Sequence, residues 1–160
     1  MDYKYTSRSI EDTMELAENI EAEKFPGMVI CLNGELGSGK TVFVKGFAGS
    51  LGIKDNITSP TFNIVKEYEN GELPLYHMDV YRLEDTDDTI GFNDYFNGNG
   101  VTIIEWADII EDKLPEERLD ITFKLIPLNF KPYKLLVIAG FTENSKNPVL
   151  ILFISLKYFD

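Results

Sequence analysis

The run Gly34-Glu35-Leu36-Gly37-Ser38-Gly39-Lys40-Thr41 matches the pattern G-x-x-x-x-G-K-[ST]. Each position answers a need of phosphate chemistry. Glycines let successive backbone N–H groups turn toward one point as an anion nest, and a helix starting there adds the positive end of its dipole. Lys40 can reach the β- and γ-phosphates, and the Thr41 hydroxyl can ligate Mg²⁺. The candidate ATP-binding set is therefore Glu35, Leu36, Gly37, Ser38, Gly39, Lys40, Thr41 and Val42. At ordinary residue frequencies the pattern arises by chance in about one chain in 200 of this length. The setting is the one the chemistry requires, with an apolar run before the loop and helical spacing after it. The expectation is a nucleoside triphosphate site.

Such a loop needs an acidic residue at the end of a neighbouring strand to hold Mg²⁺ or its waters. Asp79, ending Leu75-Tyr76-His77-Met78-Asp79, and Glu105, ending Val101-Thr102-Ile103-Ile104-Glu105, are the two candidates. A carboxylate on a buried strand is rarely left unpaired, so both read as site residues. His77 is the only histidine and thus the only side chain that titrates near neutrality without perturbation. Its catalytic and structural readings both stay open. Arg82 can either offset charge on a transferring phosphoryl group or pair with the acidic residues after it. Thr58-Ser59-Pro60-Thr61 is dense in hydroxyls and stiffened by proline, which suits a γ-phosphate sensor as well as a capped turn. Trp106, the only tryptophan, directly follows Glu105 and should report on its ordering.

These residues need a scaffold, and the hydrophobic pattern supplies one. Met28–Leu32 is a continuous apolar run, as in a strand covered on both faces. Thr41–Leu51 resumes helical spacing with Phe43, Phe47 and Leu51 four apart, and Gly52 closes it. Ser9–Lys24 reads as an amphipathic helix capped by Ser9, with Asp12 at the capping-box position and Ile10, Met14, Ala17 and Ile20 on one face. Phe25-Pro26-Gly27 ends it. Thr61–Tyr68 reads as a strand, Asn70-Gly71 as a hairpin turn and Leu73–Tyr81 as the returning strand. Glu84–Phe96 reads as loop and short helix, Val101–Ile104 as a second buried strand. Arg118–Ile126 and Tyr133–Phe141 read as further strands, joined by a turn around Pro127–Pro132. The expected class is α/β, with a mostly parallel central sheet, an antiparallel portion and helices on both faces.

Composition narrows the function. The 160 residues suit one domain, and 44% hydrophobic content supports a core. A net charge of −12 argues against an autonomous nucleic-acid binder. Glu84–Asp120 holds 12 acids against two basic residues, either a solvated face or a docking surface for a basic partner. One cysteine, Cys31, excludes an intrachain disulfide and a cysteine metal cluster. The N-terminus opens with Asp2 and Lys4 and lacks the apolar stretch of a signal peptide. The longest apolar run, Val149–Leu156, is far too short to span a bilayer, so a cytoplasmic protein with no membrane association is expected.

Together these pieces resemble the TsaE family, small ATPases of bacterial tRNA threonylcarbamoyladenosine biosynthesis. The stretches that carry the resemblance are Gly34–Thr41, Ser59-Pro60-Thr61-Phe62, His77-Met78-Asp79-Val80-Tyr81-Arg82-Leu83 and Ile104-Glu105-Trp106-Ala107-Asp108. It extends well over Ile10–Asp108 and loosely over Arg118–Gly140. The resemblance implies a P-loop NTPase-like fold and an ATPase using ATP and Mg²⁺ beside two partner proteins, TsaB and TsaD. tRNA is then met only through the complex. It also implies that Thr41 and Glu105 hold Mg²⁺, that Asp79 is needed for hydrolysis and that adenine lies near Ser9–Thr13. Thr58, Ser59, Thr61 and Arg82 remain candidates for a switch or sensor. The whole chain, 1–160, is expected to be one P-loop ATPase domain. Residues 142–160 read as an atypical C-terminal extension, since family members usually finish soon after a strand like Tyr133–Phe141; Lys131 and Lys134 are candidate phosphate contacts there.

Two other readings compete. A small-molecule kinase would need an acceptor site and usually an arginine-rich lid, and the chain has only Arg8, Arg82 and Arg118. A nucleotide-gated binding module without significant hydrolysis would use the same loop. A GTPase fits less well: Asp88-Thr89-Ile90-Gly91 matches D-x-x-G but follows no strand, and no N-K-x-D base-reading motif occurs.

Overall fold

The computed structural model describes residues 2–85, 91–128 and 131–141, with side chains for 4–83 and 91–125. In chain order its elements are β1 (Asp2–Ser7), α1 (Ile10–Glu21), β2 (Val29–Gly34), α2 (Lys40–Ser50), β3 (Val65–Tyr68), β4 (Leu75–Asp79), α3 (Phe92–Phe96), β5 (Val101–Glu105), β6 (Leu119–Leu128) and β7 (Lys131–Phe141). Short 3-10 turns lie at Tyr81–Asp85 and Ala107–Lys113. The strands form one sheet in the order β1-β7-β6-β2-β5-β4-β3. β2 pairs parallel with both β5 and β6, and β4 pairs parallel with β5. β3 and β7 run against their neighbours, so five of these seven strands share one direction. The mostly parallel centre with an antiparallel portion is as expected.

Alternation along the strands builds a core on each face. Ile30 and Leu32 of β2, with Ile103, Ile121 and Phe123, meet α1 and α2 through Leu16, Ile20, Phe43 and Phe47. Val29 and Cys31, with Met78 and Ile104, face α3 and the 3-10 turns through Phe92, Phe96, Ala107 and Ile110. Burial on both sides is why β2 and β5 read as unbroken apolar runs rather than alternating ones. Cys31 is buried here and its thiol pKa is pushed far up, first by loss of solvent.

Three expectations change in detail. The first concerns the buried stripe of α1, which is Thr13, Leu16, Ala17, Ile20 and Glu21, while Ile10 is 60% exposed. The stripe can include polar residues because they are paired: Thr13 shares a 2.8 Å hydrogen bond with Ser7, and Glu21 lies 2.8 Å from Lys24. Ala17 and Ile20 of the expected face are buried and Met14 is half-buried. Apolar type thus finds the right side of the helix but misses Thr13 and Glu21 and wrongly includes Ile10. In the second, β3 begins only at Val65, and Thr61–Asn63 is a turn in which the N–H groups of Asn63 and Ile64 both donate to Pro60 O. Ile64 then takes the left-handed conformation (φ 64°), uncommon for a β-branched residue. The third is β1, which is not among the expected elements. Its Tyr3, Tyr5 and Lys4, Thr6 alternate, but the run is too polar to stand out until β7 pairs with it. Residues 86–90, with most of the D-x-x-G match, and residues 142–160 lie outside the described residues, as do the side chains of Lys131 and Lys134.

The two long helices touch where Gly46 of α2 faces α1. A methyl group on Gly46 would lie 2.8 Å from Met14 Cα and 2.9 Å from Met14 O. Backbone cannot move aside as a flexible side chain can. Gly46→Ala should therefore destabilise the fold by about 1–3 kcal/mol through overpacking, more than the roughly 1 kcal/mol that alanine returns in helix propensity. A denaturant midpoint equal to or above that of the native chain would show that the helices part without cost.

Candidate functional site

β2, β4 and β5 all point the same way, so their carboxyl ends open onto one cleft, the usual ligand position in an α/β sheet. β2 runs into loop 35–39, where Gly37 (φ 77°) and Gly39 (φ 101°) sit in the left-handed region that lets the N–H groups converge. α2 begins at Lys40, placing its unpaired first N–H groups behind the loop. β4 ends at Asp79 and β5 at Glu105, and the two are register partners. The cleft has a volume of about 420 Å³ and is lined by the loop from Leu36 to Val42, Ser59, Thr61, Asp79, Tyr81, Glu105 and Trp106. That suits a small-molecule ligand.

At its base the Thr41 hydroxyl donates to Glu105, 2.9 Å to Oε1 and 3.2 Å to Oε2. Glu105 is buried, and its Oε1 is also 2.9 Å from His77 Nε2. Two-residue periodicity puts His77 on the same sheet face as Asp79 and, one strand across, Glu105. Asp79 is held by three donors. Its Oδ2 accepts from the hydroxyls of Ser59 and Thr61, the latter at 2.7 Å, and its Oδ1 accepts from Tyr81 N–H at 3.2 Å. The Thr61–Asn63 turn thus has a purpose: it carries Thr61 back over Asp79.

Lys40 is buried in the loop. Its ammonium donates to Gly34 O (2.6 Å) and Glu35 O (3.0 Å) and sits 3.8 Å from the centroid of the Trp106 ring. Burial lowers its pKa from the ordinary lysine value, and the negative charges of Glu105, Asp79 and Asp108 act the other way. An incoming phosphate would add to that second influence. Trp106 adopts a left-handed backbone (φ 63°), a conformation that costs of order 1–3 kcal/mol and persists only where its surroundings enforce it. Here Trp106 N–H donates to Leu32 O, and the ring lies 4.9 Å from that of Tyr81.

The remaining sequence candidates sit further out. Glu35 is exposed, and its carbonyl oxygen accepts from Lys40 Nζ and from Ser38 N–H. Thr58 accepts a hydrogen bond from Lys66 Nζ at 2.6 Å and does not line the cleft. Arg82 stacks over Phe62 at 4.4 Å from the ring centroid, on the surface beside the cleft. Ser9–Thr13 lie outside the lining as well. Tyr81 is the lining residue that sequence reasoning passed over, and its position two residues after Asp79 was the available signal.

The oxygens at the base of the cleft suit a hard divalent cation: a hydroxyl and a carboxylate in mutual contact, with no thiolate. No group of three or more His, Cys, Asp or Glu able to hold a metal occurs among the described residues. Remaining ligands would come from phosphate and water, which is how Mg²⁺ is bound at nucleotide sites.

Strand, glycine loop, helix and neighbouring strand-end carboxylates define a P-loop nucleotide-binding protein. The comparisons agree and go further. The family model "Threonylcarbamoyl adenosine biosynthesis protein TsaE" matches residues 7–127. The protein named tRNA threonylcarbamoyladenosine biosynthesis protein TsaE from Bacillus subtilis is 51% identical over 121 residues, covering 76% of this chain and 77% of that protein. Its namesake from Treponema pallidum is 43% identical over 122 residues, covering 75% and 90%. A crystal structure described as Bacillus subtilus YdiB superposes with a TM-score of 0.82 at 38% identity, covering 98% of this chain and 95% of that one. The chain belongs to the TsaE family. No helix among the described residues is long and apolar enough to cross a membrane.

Proposed function

We propose that this chain is a Mg²⁺-dependent ATPase supporting threonylcarbamoyl modification of tRNA adenosine next to the anticodon, working with TsaB and TsaD. The observation that carries the reading is the contact of Thr41 and Glu105 at the foot of the glycine loop, where the hydroxyl and carboxylate of a nucleotide-bound cation belong. Thr41 and Glu105 would hold Mg²⁺, which would supply charge neutralisation for the phosphates. The chain's own residues do the rest. Loop N–H groups from Leu36 to Thr41 bind and orient the phosphates. Lys40 exchanges its loop carbonyls for phosphate oxygens and so neutralises charge where it develops. Asp79 orients the attacking water or takes its proton, held in place by Ser59, Thr61 and Tyr81 N–H. Because Ser59 and Thr61 hydrogen-bond this carboxylate, a change at the γ-phosphate can pass into loop 58–61, where a partner can read it.

TsaB and TsaD enter through the family resemblance, and charge bears on how the chain meets them and tRNA. With a net charge of −12, this chain offers a phosphate backbone little counterion release, so tRNA is met indirectly through the complex. The acidic stretch from Glu84 to Asp120 suits a basic protein face.

Phosphate release by the purified protein, alone and with TsaB and TsaD, tests the activity. The expected result is Mg²⁺-dependent release, association that depends on nucleotide and weakens as salt rises, and no appreciable tRNA binding by the chain alone. Nucleotide-dependent association without any phosphate release would replace this reading by that of a gated binding module. Tight tRNA binding by the isolated chain would overturn the partner assignment.

A further inference from the structure

We infer that His77 is a positioning residue for the cation site: its Nε2–H holds the Glu105 carboxylate in place when the Thr41 hydroxyl turns from Glu105 to a bound cation. The inference rests on the reading of Glu105 as a direct or water-mediated cation ligand.

Among the described residues Glu105 has two side-chain hydrogen-bond donors, Thr41 Oγ1 and His77 Nε2, and both reach Oε1 at 2.9 Å. These donors are not equivalent. Thr41 belongs to the nucleotide loop, and ligating a cation requires its oxygen lone pair to face the metal. His77 lies in the middle of β4, fully buried and remote from the loop in sequence, so nucleotide binding does not call on it. A metal-bound carboxylate usually keeps such an outer partner, which fixes its orientation.

The rest of the imidazole points to the same role. A carboxylate oxygen can only accept, so the Nε2–Glu105 bond places the proton on Nε2. Nδ1 is buried and has no hydrogen-bond partner among the described residues. Among the described residues, the one hydrogen bond the ring makes is thus the one from Nε2 to Glu105. That hydrogen bond is what a nonpolar residue at this interior position would lack.

Because His77 is the only histidine, its ring nitrogens give one set of ¹⁵N NMR signals. The expected spectrum of the native chain shows an Nε2-bound proton donated to a hydrogen-bond acceptor, both without nucleotide and with Mg·ADP. Absence of that Nε2-bound proton in either state would overturn the inference. Mn²⁺ binding to the protein–ADP complex, measured by electron paramagnetic resonance against an ADP-only control, supplies the second arm. His77→Leu should weaken Mn²⁺ binding by about tenfold or more, whereas His77→Gln, whose amide N–H reaches the same oxygen, should restore most of it. Equal Mn²⁺ affinity in the native and folded Leu variants would overturn the role of His77 while leaving the ATPase reading intact. So would a folded Gln variant as weak as the Leu variant. Should the Leu variant fail to fold, the Gln variant and the native spectrum still decide. A native complex that holds no Mn²⁺ would overturn the cation site itself.

Discussion

Replacing Lys40 by alanine should lower ATP hydrolysis by about a hundredfold or more. Among the described residues Lys40 is the only cationic side chain lining the cleft, so no other lining group can neutralise the terminal phosphates. Its ammonium is already partly desolvated, sits over the Trp106 ring and is held by two loop carbonyls. In such a place a charge acts more strongly than in water and needs little reorganisation. The substitution also removes a packed stem, so a second variant is needed to separate chemistry from folding. Thr41→Ala deletes a single hydroxyl at the first turn of α2 and should lose hydrolysis through the cation rather than through the phosphates. Phosphate release would be measured on both, with thermal midpoints as the control. Undiminished turnover in either folded variant would sink the assignment of this loop as the ATPase site.

The loop was legible because its chemistry is local. Eight adjacent residues carry the phosphate cradle, and the apolar run before them and the periodicity after them specify strand and helix without reference to the rest of the chain. Asp79 and Glu105 were legible for a different reason. Each closes an apolar strand with a charge, and a charge at such a place calls for a partner. What remained hidden was pairing at a distance. That Asp79 faces Glu105 depends on the register of β4 on β5, and that Thr61 reaches Asp79 depends on a turn where strand-like residues had been read. The stripe of α1 is legible at Ala17 and Ile20 but incomplete, because Thr13 and Glu21 are buried through hydrogen bonds and charge, which apolar counting does not register. β1 needed β7 to exist as a strand at all.

His77 shows the same boundary within the site. Its spacing from Asp79 places both on one face of any strand, which the sequence does contain. Whether that face meets Glu105, and so whether the histidine serves the site or the core, is decided one strand away.

Asp79→Asn and Glu105→Gln should fail in different ways. Asparagine at 79 can still accept from Tyr81 N–H through its carbonyl oxygen, and its amide can donate to Ser59 or Thr61, whose hydroxyls work in either sense. Shape and contacts persist while the negative charge and the proton acceptor are lost. Nucleotide affinity should therefore stay near that of the native chain, and turnover should fall by about 10²–10⁴-fold, the usual contribution of a positioned base. Glutamine at 105 can place its carbonyl oxygen where Oε1 accepts from both Thr41 and His77, so the local fold survives here as well. What disappears is an anion beside the cation. At a separation near 4 Å and an effective dielectric near 20, each unit charge there is worth about 4 kcal/mol, so the Mg²⁺ concentration for half-maximal activity should rise by about a hundredfold or more. Excess Mg²⁺ should then restore part of the activity of Glu105→Gln and none of that of Asp79→Asn. Titrating both variants with Mg²⁺ at saturating ATP distinguishes the roles. Equal rescue of the two would mean that both carboxylates serve the cation, and full activity in both would make them structural.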